Sequence, residues 1–371
     1  MIKKTGVCGL IFPSVHDEML HELTEVRALG SIPFGGRYRL VDFPLSNLVH
    51  AGITDISVIT TKKYMSLARH VGSGKAWDLS RKKQGLSLLP ALGATPEQYE
   101  GRMVPLYEVM EWLETCDEEY VVMSDCYVVG NINYKALVKK HIDSGAEITI
   151  AYKNGKCPDL PDALVLDVNE SQKVTCLRVG ARPQGEVNYG IGLYVIARET
   201  LVGLVKEAYS CGKLSFERDI LLPLAEGGNL HAYEVPEFTM IVSNLQTYFD
   251  ANMAMMDKDI RAKLFPADYP VYTQVHNCAP VVYGLNSDMT GSLAADGAYI
   301  DGVVTDSLLF RNVKVETGAT VRNCILMEGS VVHKGAVLEN VVLDKDVSVS
   351  EGRVLRGAPT YPLYVNKGRE I

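Results

Sequence analysis

Along the first ~240 residues, short apolar runs alternate with amphipathic stretches. Residues 7–12, 56–60, 120–123, 147–151, 163–166 and 192–196 are largely apolar and read as short strands buried on both faces. Between them, residues 106–115 and 134–144 carry a helical pattern, the second stopped by Gly145. Strands alternating with helices predict a mostly parallel sheet covered on both sides. Ligands of such sheets bind beyond the carboxyl ends of the strands. The loops after Phe12, Thr60 and Met123 are therefore where chemistry is expected.

The pattern changes after a Met-rich helical stretch over residues 249–260 and three breaks at Pro266, Pro270 and Pro280. Val313, Ala319, Ile325, Val331, Val337, Leu343 and Val349 follow one another at intervals of six. The positions just before them, Gly318, Cys324, Ser330, Ala336, Val342 and Ser348, are small or β-branched. This period predicts a parallel β-helix with three short faces and coils of about 18 residues. The expected organisation is an α/β domain over residues 1–245, a linker over 246–280 and a β-helix over 281–371.

Composition adds few constraints. Hydrophobic residues make up 47% and charged residues 22%, and the formal net charge is −8. An acidic balance argues against nucleic acid or an anionic membrane as partner. The start of the chain meets Pro13 and charged residues after a short apolar run, which favours a first strand over a leader or a membrane span. The eight cysteines form no CxxC pair and fit a reduced, cytoplasmic protein. No HxH or HxxxH pair suggests zinc.

The densest motif covers residues 32–47. Gly35-Gly36 permits close backbone approach, Arg37 and Arg39 suit a phosphate, and Asp42, Pro44, Ser46 and Asn47 follow. By itself the motif reads equally well as a structural turn feeding a helix. The run FGGRYRLVDFPLSN resembles the glucose-1-phosphate adenylyltransferase (ADP-glucose pyrophosphorylase) family. So do Tyr120 to Asp125, Ser215-Phe216 with Asp219 to Pro223, Thr247 to Asn252 and the C-terminal hexads. The resemblance implies a Rossmann-like nucleotidyltransferase domain with a mostly parallel mixed sheet, followed by a left-handed parallel β-helix. It also implies ATP and glucose 1-phosphate as substrates, Mg²⁺ as cofactor and a tetrameric assembly. Within the family, Arg27 and Arg39 match positions that bind anionic effectors, and Arg37 is a third candidate.

Several positions depart from the family pattern. The phosphate-cradling loop survives only as a remnant, Gly9, Leu10 and Phe12, and Asp17-Glu18 brings negative charge there. The nucleotide-proximal segment has become Gly101-Arg-Met-Val-Pro105. The metal carboxylate is represented by Asp125, displaced by one residue, which in a strand points a side chain to the other face. The second metal carboxylate is replaced by Ser215, and Glu217 could take its place only with a backbone change. Arg182 matches the sugar-phosphate lysine. Asp125 and Arg182 are thus the residual catalytic candidates, and Mg²⁺ is implied only if catalysis remains. The pattern resembles the GlgD-type branch of the family, which implies a regulatory chain paired with a catalytic adenylyltransferase subunit and binding a phosphorylated effector or sugar phosphate. The alternatives are a slow but self-sufficient adenylyltransferase and a homomeric effector-binding protein.

Overall fold

The first strand, β1 (Val7–Phe12), sends alternate side chains to opposite faces of a nine-stranded mixed sheet. Val7 and Ile11 join one hydrophobic cluster, while Cys8, Leu10 and Phe12 join another. That two-sided burial explains the nearly continuous apolar run. A computed structural model describes residues 6–60, 62–91 and 101–371. Helix α1 (Asp42–His50) leads into β2 (Asp55–Thr60), and β3 (Gly85–Pro90) lies beyond it. Helices α2 (Met103–Glu108) and α3 (Met110–Thr115) precede β4 (Tyr120–Asp125), where one continuous helix was expected. The chain continues through α4 (Tyr134–Ser144), β5 (Ile148–Lys156), β6 (Leu164–Val168), β7 (Val174–Val179), β8 (Glu186–Ala197), α5 (Arg198–Ser210) and β9 (Leu230–Glu234).

The strand order is β7-β6-β8-β4-β1-β2-β3, with β5 pairing both β8 and β9. Pairs β4-β1, β1-β2, β2-β3 and β5-β9 are parallel, and the long β8 is antiparallel to its neighbours. In this register Phe12 stands opposite Asp125, so the loops after β1 and β4 emerge side by side. Helix α4 has the bounds its pattern predicts. The Asn133 side chain caps its first turn and Gly145 ends it at φ 63°. No described helix is long and apolar enough to cross a membrane.

Helices α6 (Leu245–Met253) and α7 (Lys258–Leu264), separated by a 3₁₀ turn, replace the single helix expected over residues 249–260. Three five-stranded parallel sheets then form the β-helix. Its coil is 17 residues in the regular part: Val303, Thr320, Val337 and Val354 stand in register, as do Leu308, Ile325 and Val342. The predicted interval of six therefore drifts, because one corner of each coil is a residue shorter. Val332 and Leu338 are fully buried inside the β-helix, whereas Val331 and Val337 are only half-buried. A one-residue shift exchanges the two faces of a strand.

The two domains share a core. Leu308, Phe310, Ile325, Met327 and Val342 of the β-helix lie in the same cluster as Phe34, Tyr248 and Met255. At this junction the Arg27 guanidinium, 2% exposed, donates two hydrogen bonds of 2.8 Å to the Asp344 carboxylate. Tyr364 donates to the same carboxylate at 2.6 Å. A buried ion pair broken on one side leaves an unpaired charge, which costs about 3–5 kcal/mol. Arg27→Ala should therefore lower the urea unfolding midpoint sharply, whereas Arg27→Met with Asp344→Leu should restore most of it.

Candidate functional site

The loop after β1 is packed, not open. Phe12, Pro13, Val15 and Leu20 are buried. The Gly30 N–H donates to the Pro13 carbonyl at 2.8 Å, and a Cβ on Gly30 would lie 2.7 Å from Pro13. Leu10 lies wholly within the sheet core, and Gly9 leaves room for Leu48, whose methyl a Cβ would meet at 2.8 Å. What remains is a cavity of about 10 Å³ among Phe12, Pro13, Val15, Ile59 and Pro105, which is space for about one water. Among the described residues, this loop presents no open backbone cradle for phosphates. Instead the Asp17 carboxylate accepts the Leu29 N–H at 2.7 Å, so the loop satisfies its own donor.

Beyond the carboxyl end of β4 lies a cluster of acids that the sequence only half disclosed. Asp125 is buried and faces this cluster, so the displacement by one residue does not turn it away. Gly192 on β8 makes room for it, since a Cβ there would meet the Asp125 carboxylate. Glu217 opens a π-helical turn, Glu217–Leu221, and is buried as well. That irregular turn supplies the backbone change its position required. Between the two carboxylates sits Arg102, 2% exposed. Its Nε and Nη2 bind Asp125, the former at 3.2 Å, and its Nη1 binds Glu217. Nη1 is also 3.7 Å from Asp162, and the guanidinium lies over the Tyr194 ring at 5.3 Å. Asp162 is paired with His16 at 2.6 Å.

Burial raises the Asp125 and Glu217 carboxyls above their usual range, and Arg102 opposes the rise. For Asp162 burial also works upward, but the His16 hydrogen bond and the nearby charges outweigh it and hold the carboxyl at about 2. Burial works to lower Arg102, yet the surrounding acids leave it well above its ordinary value. Arg102 was missed because the sequence shows it only as a residue in a segment that had lost its small hydroxylated side chains.

Mg²⁺ does not fit these residues. It requires near-octahedral oxygen ligands at about 2.0–2.1 Å, and both buried carboxylates are engaged by a guanidinium. Among the described residues no group of three His, Cys, Asp or Glu is placed to hold a metal. Arg182 stands apart at the surface, 3.0 Å from Asp159.

The three arginines expected to meet an anionic effector separate into different roles. Arg27 is buried, and its Nη2 is engaged by Asp344. Arg39 donates to the Ser66 carbonyl and hydroxyl at 2.8 and 2.9 Å, and burial lowers it to about 10. Arg37 is exposed, stacks over Tyr38 and makes no ion pair among the described residues. Arg37 and Arg39, with His70, Arg311, Lys345 and Glu328, line an interdomain cleft of about 40 Å³. The other polar residues of the motif are fasteners. Asp42 accepts from Arg39 N at 2.9 Å and pairs with His70 at 2.5 Å. Asn47 bridges to Gly130 and Ile132, and the Ser46 hydroxyl receives Tyr272 N.

Comparison with known proteins places two similarities along the chain. A model of the nucleotidyl transferase family matches residues 18–257, and one of the GlmU-like, C-terminal hexapeptide family matches residues 282–357. The glycogen biosynthesis protein GlgD of Geobacillus stearothermophilus is 30% identical over 315 residues, covering 84% of this chain and 82% of its own. The protein of the same name from Bacillus subtilis is 27% identical over 365 residues, covering 97% and 95%. The glucose-1-phosphate adenylyltransferase of Clostridium perfringens (strain 13) is 26% identical over 332 residues, covering 88% and 84%.

The loop after β1 has a pH signature. Burial pushes the Asp17 carboxyl up to about 7, with the Leu29 N–H partly opposing it. Unfolded, the group titrates near 4. Between about pH 4 and 7 the folded chain therefore holds the extra proton, and stability falls as pH rises through that window. In urea unfolding across that range, the parent should lose stability relative to Asp17→Asn, and the difference should level off above about pH 7.

Proposed function

The chain belongs to the nucleotidyl transferase family, within its GlgD-like ADP-glucose pyrophosphorylase branch, and on that premise we propose that it acts in glycogen synthesis as a regulatory subunit that no longer transfers adenylyl groups itself. The observation that carries this reading is the filled loop after β1. Transfer of an adenylyl group needs a triphosphate held in line with its acceptor and its charge neutralised. Here Phe12, Pro13 and Val15 occupy the space above the strand and leave room for about one water. Residues that act as a unit lose most of the rate together, not in small steps. The self-sufficient reading needed Asp125 and Glu217 free in an open pocket, and both are bound to Arg102.

The catalytic partner would be a glucose-1-phosphate adenylyltransferase subunit, joined to this chain in a hetero-oligomer. The interdomain cleft is the candidate effector site. Arg37 is its most available cation, and Arg39, Arg311 and Lys345 raise the local positive potential, partly offset by Glu328. A cluster of cations of this kind suits a phosphate group. A link to phosphate here would reach both domains at once, because Arg311 donates to the Arg37 carbonyl at 3.3 Å.

ADP-glucose formation should be measured with this chain alone, with a catalytic subunit alone and with both. This chain alone should show no Mg²⁺-dependent turnover. The two should co-purify, and the pair should differ from the catalytic subunit in rate or in effector response. Robust turnover by this chain alone would overturn the proposal, and so would the absence of any association. For the cleft, Arg37→Ala should leave stability unchanged but weaken the response of the pair to a phosphate ester by about tenfold, the loss of one charge-assisted contact of about 1.5 kcal/mol.

A further inference from the structure

Three carboxylates from three separate elements meet one guanidinium at the carboxyl edge of the sheet. Asp125 comes from β4, Glu217 from the π-helical turn and Asp162 from the loop before β6. Acidic oxygens that converge from independent elements beyond parallel strands call for a positive charge among them. Left without a cation, the two buried acids would repel each other and pay the full cost of desolvation. The charge is instead supplied from within the chain.

We propose that Arg102 is a tethered replacement for a divalent cation: its guanidinium neutralises Asp125 and Glu217 permanently, so that the domain holds its arrangement with neither metal nor nucleotide. The geometry suits this role. A guanidinium presents five donors in a planar fork and stays charged even when buried. Here one edge engages Asp125 and the next nitrogen engages Glu217, while Asp162 lies at the margin and the Tyr194 ring closes one face. The arrangement is enclosed on the β8 side, where even a methyl on Gly192 would strike Asp125. Unlike a bound ion, this cation has no dissociation step. The site is therefore fixed in one state whatever the metal concentration. The inference does not depend on a partner subunit, so it can fail while the regulatory reading stands, and the reverse.

An ordinary buried ion pair and a cation replacement differ in what removal of the arginine leaves behind. Mn²⁺ serves as the probe, followed by its paramagnetic resonance signal and by thermal melting, with EDTA as control. The parent chain should bind no Mn²⁺ at this site and melt at the same temperature in EDTA, Mg²⁺ or Mn²⁺. Arg102→Ala should melt lower in EDTA, take up one Mn²⁺ and recover much of the lost melting temperature when it is added. Adding Asp125→Asn and Glu217→Gln to that variant should abolish both the uptake and the need for it. If Arg102→Ala does not fold in EDTA, the readout is the refolded fraction by circular dichroism with and without Mn²⁺. The proposal is overturned if the parent binds Mn²⁺ in a manner that Asp125→Asn abolishes. It is equally overturned if Arg102→Ala, folded or refolding, gains nothing from Mn²⁺.

Discussion

The acids at the carboxyl edge of the sheet, Asp125, Glu217 and Asp162, can be packed together only because Arg102 stands among them. Interactions between charges strengthen as water is excluded, both the repulsion among the acids and their attraction to the guanidinium. The rest of this edge follows from that balance. Gly192 leaves room for the Asp125 carboxylate, the turn at Glu217–Leu221 is π-helical, and the guanidinium lies over the Tyr194 ring. The segment around Arg102 is thereby drawn over the end of β1, where Pro105 and Gly101 help close the cavity next to Phe12. The filled loop and the neutralised acids are thus adjoining features of one closed edge.

A second buried guanidinium ties the domains to each other. Arg27 reaches from the α/β domain to Asp344 of the β-helix, and Tyr364 and Lys345 N complete that carboxylate's partners. The Gly35-Gly36 turn runs past the same junction with φ values of 58° and 84°. It is held by Asn252, which accepts the Gly35 N–H at 2.9 Å, and by Tyr248, whose hydroxyl donates to the Pro33 carbonyl at 2.7 Å. Helix α6 therefore grips the motif from one side, while Leu308 and Ala295 of the β-helix lie against Gly36 on the other. A motif that suggests phosphate chemistry in the sequence is, in the fold, mainly the seam between two domains. Pro33, Gly36, Arg37, Tyr38 and Arg39 line the cleft, and of these Arg37 and Arg39 carry the charge.

Much of the architecture was legible because local pattern and burial agree. The bounds of β1 and α4 follow from an uninterrupted apolar run and from a capped amphipathic stretch. Strands β3, β7 and β9 were not foreseen, since they lie towards the edges of the sheet and carry weaker apolar patterns. The β-helix was visible through its period, but not its true coil. A constant interval of six and a repeat of six, six and five look alike over two coils, and only the register of Val332 and Leu338 separates them.

Residue types at fixed spacing along the chain were enough to reveal the family and the order of the domains. Tertiary structure alone decided where Asp125 points, that Glu217 reaches it, and that Arg102 and Arg27 are internal counter-ions. Asp125 and Glu217 are far apart in sequence and meet through a strand register and a π-helical turn, neither of which leaves a local signature. An arginine reads the same in a sequence whether it awaits a ligand or already holds two buried acids. The difference lies in what the folded chain places around it.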